Sequence, residues 1–301
     1  MRMESVSFFE FQKRFGNEEN CRRQLRLMRW PGGYRCPRCG CRKHSYHSTR
    51  GLYQCRDCRY QASLTAGTVF HRTRVPLTKW FAMIYLMSSF KSGVSIMGMQ
   101  RLLDIKTYQT AWLMSQKIRK AMADRDACYK LGGLIEMDDA FIGPTKPGHP
   151  GRGAKGKTKF IVAVESEGKK AGFAKMRVVN SVSGNEIRGM ASSSFEDKTT
   201  VLTDGWHGYR PLAQDGWDHI YEVVSEEKKA IKVLPWVHTL IANIKGNLRG
   251  VHHGVTPKYL SRYLDEFCYR FNRRYWPDQI FLRLINACIN TSSVSRADLT
   301  A

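Results

Sequence analysis

Two pairs of closely spaced cysteines are the first residues whose type and spacing could do chemistry. Cys36 and Cys39 form one C-x-x-C pair, and Cys55 and Cys58 form a second, with 15 residues between the pairs. A C-x-x-C turn brings two thiolates to one ion, so two such turns on adjacent hairpins complete a tetrahedral zinc site. Redox chemistry is the competing interpretation, but a doubled motif with basic turns fits it poorly. We therefore expect a structural zinc ribbon.

The other cysteines, of nine in the chain, do not repeat this spacing. Cys41 and His44 lie close to the ribbon pairs, and we expect both to be bystanders. The rest are isolated, and isolated cysteines are more often buried residues than ligands: they are Cys21, Cys128, Cys268 and Cys288.

Two aspartates form the second group with chemical potential. Asp138 lies in the stretch Gly133–Gly143, and Asp204 ends a second stretch and is followed directly by Gly205. Carboxylates at the ends of neighbouring strands can together hold two divalent ions about 4 Å apart, which activate a water or a 3′-hydroxyl. Hard oxygen ligands suit Mg²⁺ or Mn²⁺. A lone aspartate at a strand end is usually a structural cap, but two occur here in one basic chain, and we expect both to be catalytic.

The elements that must position these aspartates follow a definite order. Three adjacent strands are followed by a helix, a strand, a helix or loop, another strand and then helices, which predicts a ribonuclease H-like α/β fold. The predicted strands are 133–143, 159–164, 172–179, 199–205 and 219–224, and the predicted helices are 184–190, 236–248, 257–274 and 280–289.

A helical region precedes the predicted sheet. Apolar residues recur at three-to-four spacing from Leu77 to Met122. Ser95 is a plausible N-cap for a short helix over Met97–Leu103, and a longer helix begins near Tyr108. A short helix, a tight turn and a longer helix outline a helix-turn-helix, although a plain helical spacer fits the same pattern. Five polar residues would lie on or beside the later helix: Lys106, Gln109, Lys117, Arg119 and Lys120.

The composition indicates a polyanionic partner. The chain has 301 residues, with 49 Lys and Arg against 26 acidic residues and a net charge of +23. An excess of this size favours nucleic acid. The ribbon alone carries seven basic residues, which suggests phosphate contact. No stretch of 18 apolar residues and no secretory signal is present, so we expect a cytoplasmic protein without a membrane span.

Several stretches together resemble one family. The chain looks like a bacterial insertion-sequence transposase of the zinc-ribbon, DDE-type class, in the Merlin-related branch. The resemblance covers almost the full chain, and the order and spacing of its motifs are hard to obtain by chance. The matching stretches are Cys36–Gly40, Lys91–Ser95 with Ala111-Trp112, Glu136–Gly143, Gly151–Gly153, Thr203–Tyr209, Val237–Lys245, His252–Gly254, Arg262–Phe267 and Arg270–Arg274.

The resemblance assigns site residues. It places the family's first metal-binding aspartate on Asp138 and the second on Asp204, and the third position on Asn243 with a nearby Lys245, as in the Asp-Asp-Asn subgroup. An amide oxygen is a weaker metal ligand than a carboxylate, so Glu266 is a reserve candidate, although a structural salt bridge within its helix is the favoured role. Asp139 follows Asp138 on a strand, points to the opposite face and is not expected to be catalytic.

Other residues have functional and structural interpretations side by side. His238 could tune the site, contact DNA or cap a helix. The histidines of the loop near residue 252 could contact phosphate or be structural, and Lys146–Lys159 could be a DNA-contacting loop or a solvated one. Trp206 and Tyr209 are expected to pack in the core. Three late arginines suggest a phosphate-binding helix face: Arg270, Arg273 and Arg274.

These expectations combine into a function. The chain is expected to be a transposase that binds the terminal inverted repeats of an insertion sequence, cuts and rejoins double-stranded DNA with Mg²⁺ or Mn²⁺, and acts as at least a dimer on DNA. The alternatives are a non-catalytic zinc-ribbon DNA-binding regulator and a ribonuclease H-like nuclease that does not join. The expected domains are an N-terminal helical segment (1–30), the zinc ribbon (31–72), a helical DNA-binding region (73–128), the catalytic domain (129–292) and a tail (293–301).

Overall fold

The computed structural model describes residues 7–143, 156–222 and 232–300. The described residues form two compact units. One comprises the chain up to Asp124 together with the segment from Trp276 onwards, and the other comprises Arg125–Tyr275. The domain boundaries expected from the sequence stay a prediction. Within the described residues, no helix is both long and apolar enough to cross a membrane.

The first unit contains helices packed around an aromatic core. Phe11, Phe15, Phe81, Tyr85 and Phe281 lie with ring centroids 4.6–6.2 Å apart. Four of the five are less than 7% exposed, and burial of such rings is the main stabilising contribution of an apolar core. The helices are α1 (Phe8–Phe15), α2 (Glu18–Arg29), α3 (Leu77–Ser89), α4 (Ile96–Leu102) and α5 (Tyr108–Ala127), which runs on past Asp124; after Trp276 come helices over Ile280–Asn290 and Arg296–Thr300.

The ribbon is a small antiparallel sheet. Its strands are β1 (His44–His47), β2 (Leu52–Cys55) and β3 (Gln61–Ser63), in the order β1-β2-β3. Tyr53 lies on β2, and its ring stacks on Tyr34 at 5.4 Å. Tyr34 precedes the sheet, and Tyr60 lies directly before β3.

The helix-turn-helix outline is confirmed. The Ser95 side chain accepts a hydrogen bond from the Gly98 amide at 3.0 Å, so it caps α4 as predicted. Asp104, in the turn before α5, has a φ of 46°, the left-handed region in which Asp is among the better tolerated residues. The observed bounds of α4 differ from the predicted ones by one residue at each end.

The second unit is built on a mixed five-stranded sheet in the order β6-β5-β4-β7-β8. β4, β5 and β6 pair antiparallel, whereas β7 and β8 run parallel to β4. This confirms the predicted ribonuclease H-like layout. The strands are β4 (Leu134–Ile142), β5 (Thr158–Ser166), β6 (Ala171–Val179), β7 (Thr200–Thr203) and β8 (Asp218–Tyr221).

Helices cover both faces of this sheet. One face carries α6 and α7 and buries Ile135 and Met137 of β4. The other face carries α8 and α9 and buries Ala140. Alternate residues of β4 therefore face different helices, as strand geometry requires. The helices are α6 (Gly184–Ser194), α7 (Pro211–Gln214), α8 (Pro235–Gly250) and α9 (Leu260–Asn272); those named above over Ile280–Asn290 and Arg296–Thr300 are α10 and α11.

Candidate metal centre and candidate active site

The four ribbon thiols converge on one point. The sulfurs of Cys36, Cys39, Cys55 and Cys58 all lie within 4.8 Å of one another. The Cys36–Cys58 and Cys39–Cys55 sulfur distances are 3.6 and 3.5 Å. These distances exceed the roughly 2.05 Å of a disulfide. They are close to the roughly 3.8 Å edge of a tetrahedron with metal–sulfur bonds of about 2.3 Å. The cluster therefore fits a zinc ion.

In each turn, backbone amides stabilise the thiolate of the first cysteine. Burial acts to raise the pKa of Cys36, but amide donors at Cys39 and Arg38 lower that pKa to about 6. An amide donor at Cys58 lowers the pKa of Cys55, against the effect of burial. Thiolate is the form that binds metal, so these amide donors favour the liganding state.

Neither expected bystander belongs to the cluster. The Cys41 sulfur accepts a hydrogen bond from the Lys43 amide at 3.2 Å. The His44 Nδ1 atom lies 3.1 Å from the Arg42 carbonyl oxygen, and its ring packs on Tyr34 at 4.5 Å. Both therefore have structural roles beside the four thiols.

The basic residues of the ribbon all face solvent. Each of the seven is exposed, and none forms an ion pair among the described residues. Free guanidinium and ammonium groups at this density suit a phosphate backbone. The seven are Arg35, Arg38, Lys43, Arg42, Arg50, Arg56 and Arg59.

Both aspartates lie just beyond the ladder between two parallel strands. Glu136 of β4 pairs with Leu202 of β7 in a parallel ladder. The ladder ends at this pair: Asp138 comes two residues later on β4, and Asp204 comes two residues later, directly after the last residue of β7. Asp138 is 9% exposed, and Asp204 is half-buried. Both aspartates therefore follow the same end of the ladder that joins β4 to β7.

Local hydrogen bonds fix each aspartate. The Asp139 amide donates to Asp138 Oδ1 at 2.7 Å. The Trp206 amide donates to Asp204 Oδ1 at 3.0 Å. The second bond requires a reversal of the chain at Gly205, whose φ of 80° favours glycine. This is the structural reason for the glycine after Asp204.

Asp139 faces away from the site, as predicted. The Tyr209 hydroxyl donates to Asp139 Oδ1 at 3.4 Å on the α6 side of the sheet. Tyr209 is fully buried, and Trp206 packs against the same cluster, so the expected core roles of both aromatics are confirmed. Asp139 ties the loop that follows Asp204 to β4.

Glu136 is a residue whose role the sequence alone did not reveal. It is 2% exposed, and Oε2 accepts the amides of Trp236 at 2.8 Å and Val237 at 3.0 Å, in the first turn of α8. Burial raises its pKa, and these amide donors act against that rise. The signal was present, because Glu136 is two residues before Asp138 and therefore on the same face.

Helix α8 presents two side chains towards Asp138. His238 Nδ1 lies 3.8 Å from Asp138 Oδ2. Lys245 is half-buried, and burial and the nearby Arg249 lower its pKa, whereas Asp138 raises it. Asn243 is exposed, and at about 100° per residue it lies about 140° around the helix from His238.

Glu266 forms the expected salt bridge. It is 2% exposed and pairs with Arg270 one turn later in α9. Its helix packs on β6, two strands from β4. Glu266 thus has a structural partner of its own.

The predicted phosphate face of α9 is wrong. Arg270 is committed to Glu266, and Arg273 is 5% exposed and bonds Asp126 at 2.6 Å. Arg274 donates to the carbonyl oxygen of Gly172 at 3.2 Å. The spacing of charged residues in the sequence predicts a charged helix face, but it does not reveal which acceptors from other segments pack against those residues.

The expected exposed position of one residue on α5, the longer helix of the helix-turn-helix, is also wrong. Arg119 is fully buried and donates to Ser115 at 3.3 Å, so it does not reach DNA. Lys120 pairs with Asp124 at 2.8 Å. Lys106 and Gln109, at the start of α5, are exposed and available.

Two other loops were singled out in the sequence. His252 packs its ring on Tyr263 at 4.7 Å, and His253 is exposed. The basic loop Lys146–Lys159 lies mostly outside the described residues, and so does the Gly151–Gly153 motif. Where it is described, Lys159 donates to the Asn180 carbonyl oxygen at 3.4 Å.

The aspartate pair has the donor chemistry of a Mg²⁺ or Mn²⁺ site. Both side chains offer carboxylate oxygens, and half-burial of Asp204 leaves room for water or phosphate oxygens to complete the coordination. Among the described residues, the four ribbon cysteines are where three or more Cys, His, Asp or Glu ligand atoms lie close together. The aspartates therefore supply two charged ligands.

Models of two protein families match two parts of the chain. Residues 16–61 match the transposase zinc-ribbon domain. Residues 130–272 match the ISXO2-like transposase domain, and this range includes both aspartates and α8. The chain is therefore similar to a transposase zinc ribbon in its first part and to a transposase domain in its second, in the predicted order.

Individual relatives are more distant. The chain is 25% identical over 276 residues to an uncharacterized protein in transposable element ISH50 of Halobacterium salinarum, covering 85% of this chain and 91% of the relative. Among solved structures, the Mos1 strand transfer complex is 10% identical, with 70% of this chain and 78% of that chain covered and a TM-score of 0.27. The Mos1 transposase paired-end complex with left transposon end is 11% identical, with 70% and 79% covered and a TM-score of 0.25.

Proposed function

We propose that the chain is an active transposase that binds the terminal inverted repeats of its element and cuts and rejoins DNA with Mg²⁺ or Mn²⁺ held by Asp138 and Asp204. The observation that carries the proposal is that both aspartates follow the same end of the parallel ladder between β4 and β7, within the range that matches the transposase domain. The upstream ribbon supplies the means to hold DNA.

Each residue has a task in the reaction. Bound ions would activate a water for cutting and a 3′-hydroxyl for joining, without a covalent protein intermediate. Asp138 and Asp204 hold the ions and are themselves held by the Asp139 and Trp206 amides. The Lys245 ammonium, near Asp138, attracts the phosphate that approaches the carboxylates.

The third position stays a prediction. Asn243 completes the Asp-Asp-Asn pattern of the subgroup that the chain resembles, in the Merlin-related branch. Its exposed amide is accessible to DNA as well as to an ion. An Asn243→Ala variant that cuts at the wild-type rate would remove this residue from the site.

The ribbon and the helix-turn-helix are the proposed DNA-binding parts. The seven exposed basic residues of the ribbon contact phosphates, and the exposed start of α5, with Lys106 and Gln109, is placed to reach base edges. Transposition joins two element ends to one target, so we propose at least a homodimer on double-stranded DNA.

A cleavage and strand-transfer assay tests the proposal. The wild-type chain is incubated with duplexes carrying the terminal repeats of its element in Mg²⁺, beside Asp204→Asn and the exposed control Asp197→Asn. We expect cut and joined products from the wild type and the control, and a loss of at least about 100-fold with Asp204→Asn.

The same assay separates the alternatives. Binding without cutting in both wild type and Asp204→Asn would support a non-catalytic regulator. Cutting without joined products would support a nuclease. Either result contradicts the proposal.

A further inference from the structure

We propose that His238 is a positioning residue for Asp138, and that Glu136 sets His238 in place. The inference deepens the proposed function and rests on it, because it concerns the carboxylate that would hold a metal ion. It assigns roles to two residues outside the expected set of Asp138, Asp204, Asn243 and Lys245.

The first step is the attachment of α8 to the sheet. Glu136 is almost fully buried, and one of its carboxylate oxygens accepts two consecutive amides, those of Trp236 and Val237. The first amides of a helix have no partners within the helix, and a carboxylate there also meets the positive end of the helix dipole. Glu136 therefore fixes both the position and the rotation of the first turn of α8.

The second step is the residue that follows. On α8, His238 is the residue directly after Trp236 and Val237, whose amides Glu136 accepts. On β4, Asp138 is two residues after Glu136 and its side chain therefore lies on the same face of the sheet. Glu136 therefore joins β4 to α8 just before both residues. His238 Nδ1 lies 3.8 Å from Asp138 Oδ2.

The third step is the orientation of the Asp138 carboxylate. Oδ1 accepts the Asp139 amide at 2.7 Å, while Oδ2 faces His238. If His238 Nδ1 and Asp138 Oδ2 approach each other by about 0.8 Å, they form a hydrogen bond of ordinary length. With both oxygens then bonded, the carboxylate plane is fixed. Groups that hold a metal-binding side chain in this way typically change metal affinity by 10–100-fold when removed.

The helix also supplies a matched control. Thr239 is the next residue on α8, is exposed, and donates its hydroxyl to the Pro235 carbonyl oxygen at 2.7 Å. It lies about 100° around the helix from His238. A Thr239→Ala substitution therefore perturbs the same turn without touching Asp138.

Glu136 has a counterpart on the neighbouring strand. Glu165 of β5 is half-buried and also accepts two amides, those of Gly132 at 3.0 Å and Phe173 at 2.6 Å, but neither belongs to α8. Glu165→Ala removes the same kind of bond from the same sheet. It separates a general loss of stability from a loss of α8 docking.

The test of His238 compares three substitutions in the full chain. In Asn, the side-chain amide nitrogen lies near the position of Nδ1, whereas in Gln it lies nearer that of Nε2. We expect His238→Ala and His238→Gln to raise the Mg²⁺ concentration for half-maximal DNA cleavage by 10–100-fold. His238→Asn and Thr239→Ala should stay within about threefold of wild type. Without metal, the NMR resonance of the Asp139 amide should shift in His238→Ala and not in Thr239→Ala.

The test of Glu136 uses amide hydrogen exchange without metal or DNA. Glu136→Ala should accelerate exchange in the first two turns of α8 by at least tenfold, since it removes the acceptor of two amides. Glu136→Gln keeps an oxygen acceptor and should restore much of the protection. Glu165→Ala should leave α8 unchanged.

Several results would overturn the inference. An unchanged Mg²⁺ requirement together with an unchanged Asp139 resonance in His238→Ala removes His238 from the site. Activity in His238→Gln but not in His238→Asn contradicts the Nδ1 assignment. Unaltered α8 exchange in Glu136→Ala contradicts the anchor. If the wild type never cuts DNA, the proposed function fails, while the NMR and exchange arms still decide the two contacts.

Discussion

Three carboxylates on β4 lie within four residues and have different surroundings. Glu136 accepts amides from α8, Asp138 faces the candidate site, and Asp139 bonds Tyr209 on the other side of the sheet. Asp138 and Asp139 are consecutive on a strand, so their side chains point to opposite faces of the sheet. Glu136 and Asp138 share one face, but Glu136 lies beside the first amides of α8 and Asp138 lies beside His238. Position on one strand therefore assigns one carboxylate to the site and two to the elements around it.

The bond between Asp139 and Tyr209 gives a prediction at this scale. Tyr209→Phe removes the hydroxyl that donates to Asp139 Oδ1 and leaves the ring in the core. We expect the free energy of unfolding to fall by about 1 kcal/mol, measured by urea denaturation. Tyr221→Phe, on the exposed side of β8, should leave it within about 0.5 kcal/mol. Equal stability of the two variants would show that the hydroxyl does not hold the loop after Asp204.

At the scale of elements, the sequence predicted most of what bears on the site. The order of strands, the three helices predicted after Pro235 and the N-cap at Ser95 follow from periodicity and local hydrogen bonding, which act over a few residues. The sequence predicted a strand end at Asp204, and this residue directly follows β7, whereas Asp138 lies in the middle of β4.

Contacts between distant segments were the part that periodicity could not supply. Arg273 has the spacing of an exposed basic residue, yet Asp126, 147 residues earlier, pairs with it inside the fold. Arg119 similarly lies on a charged stretch of sequence but on the buried side of α5. The Glu136 anchor joins residues 100 apart, and such partners are set by the assembled sheet.

The ribbon gives a prediction at the scale of an element. Purified protein should contain one zinc ion per chain, and Cys55→Ser should lose it, because three thiolates bind zinc more weakly than four. Removal of zinc should accelerate amide exchange throughout the ribbon, since a structural zinc site contributes directly to folding.

Cys41 provides the control for this measurement. Its sulfur bonds the Lys43 amide and lies outside the four-thiol cluster, so Cys41→Ser should retain one zinc ion. Loss of zinc from Cys41→Ser with retention in Cys55→Ser would reverse the assignment of ligands.

At the scale of the whole molecule, the net charge of +23 is the dominant property. Some basic side chains are structurally committed, such as Arg270 and Arg273, whereas the ribbon arginines are free of ion pairs among the described residues. Binding to DNA should therefore release counterions mainly through the exposed groups. The net charge of the chain does not distinguish basic residues held in ion pairs from basic residues exposed to solvent.

Salt dependence of DNA affinity measures that difference. Arg38→Gln with Arg42→Gln should reduce the slope of log affinity against log salt by about 1.8, at about 0.9 for each phosphate that is no longer neutralised. Arg296→Gln, an equally exposed change on α11, should leave the slope unchanged. A slope that is the same in the ribbon variant as in wild type would place the DNA elsewhere.

The central claim is that Asp138 and Asp204 share a divalent metal site although 65 residues lie between them. Iron-mediated cleavage of the polypeptide tests it directly: Fe²⁺ replaces Mg²⁺ in zinc-loaded protein, and ascorbate with peroxide generates radicals that cut the backbone near the ion. We predict cuts at two places, beside Asp138 and beside Asp204, and the loss of both in Asp138→Asn. Cutting at only one of the two places, or a pattern that persists in Asp138→Asn, would contradict the account.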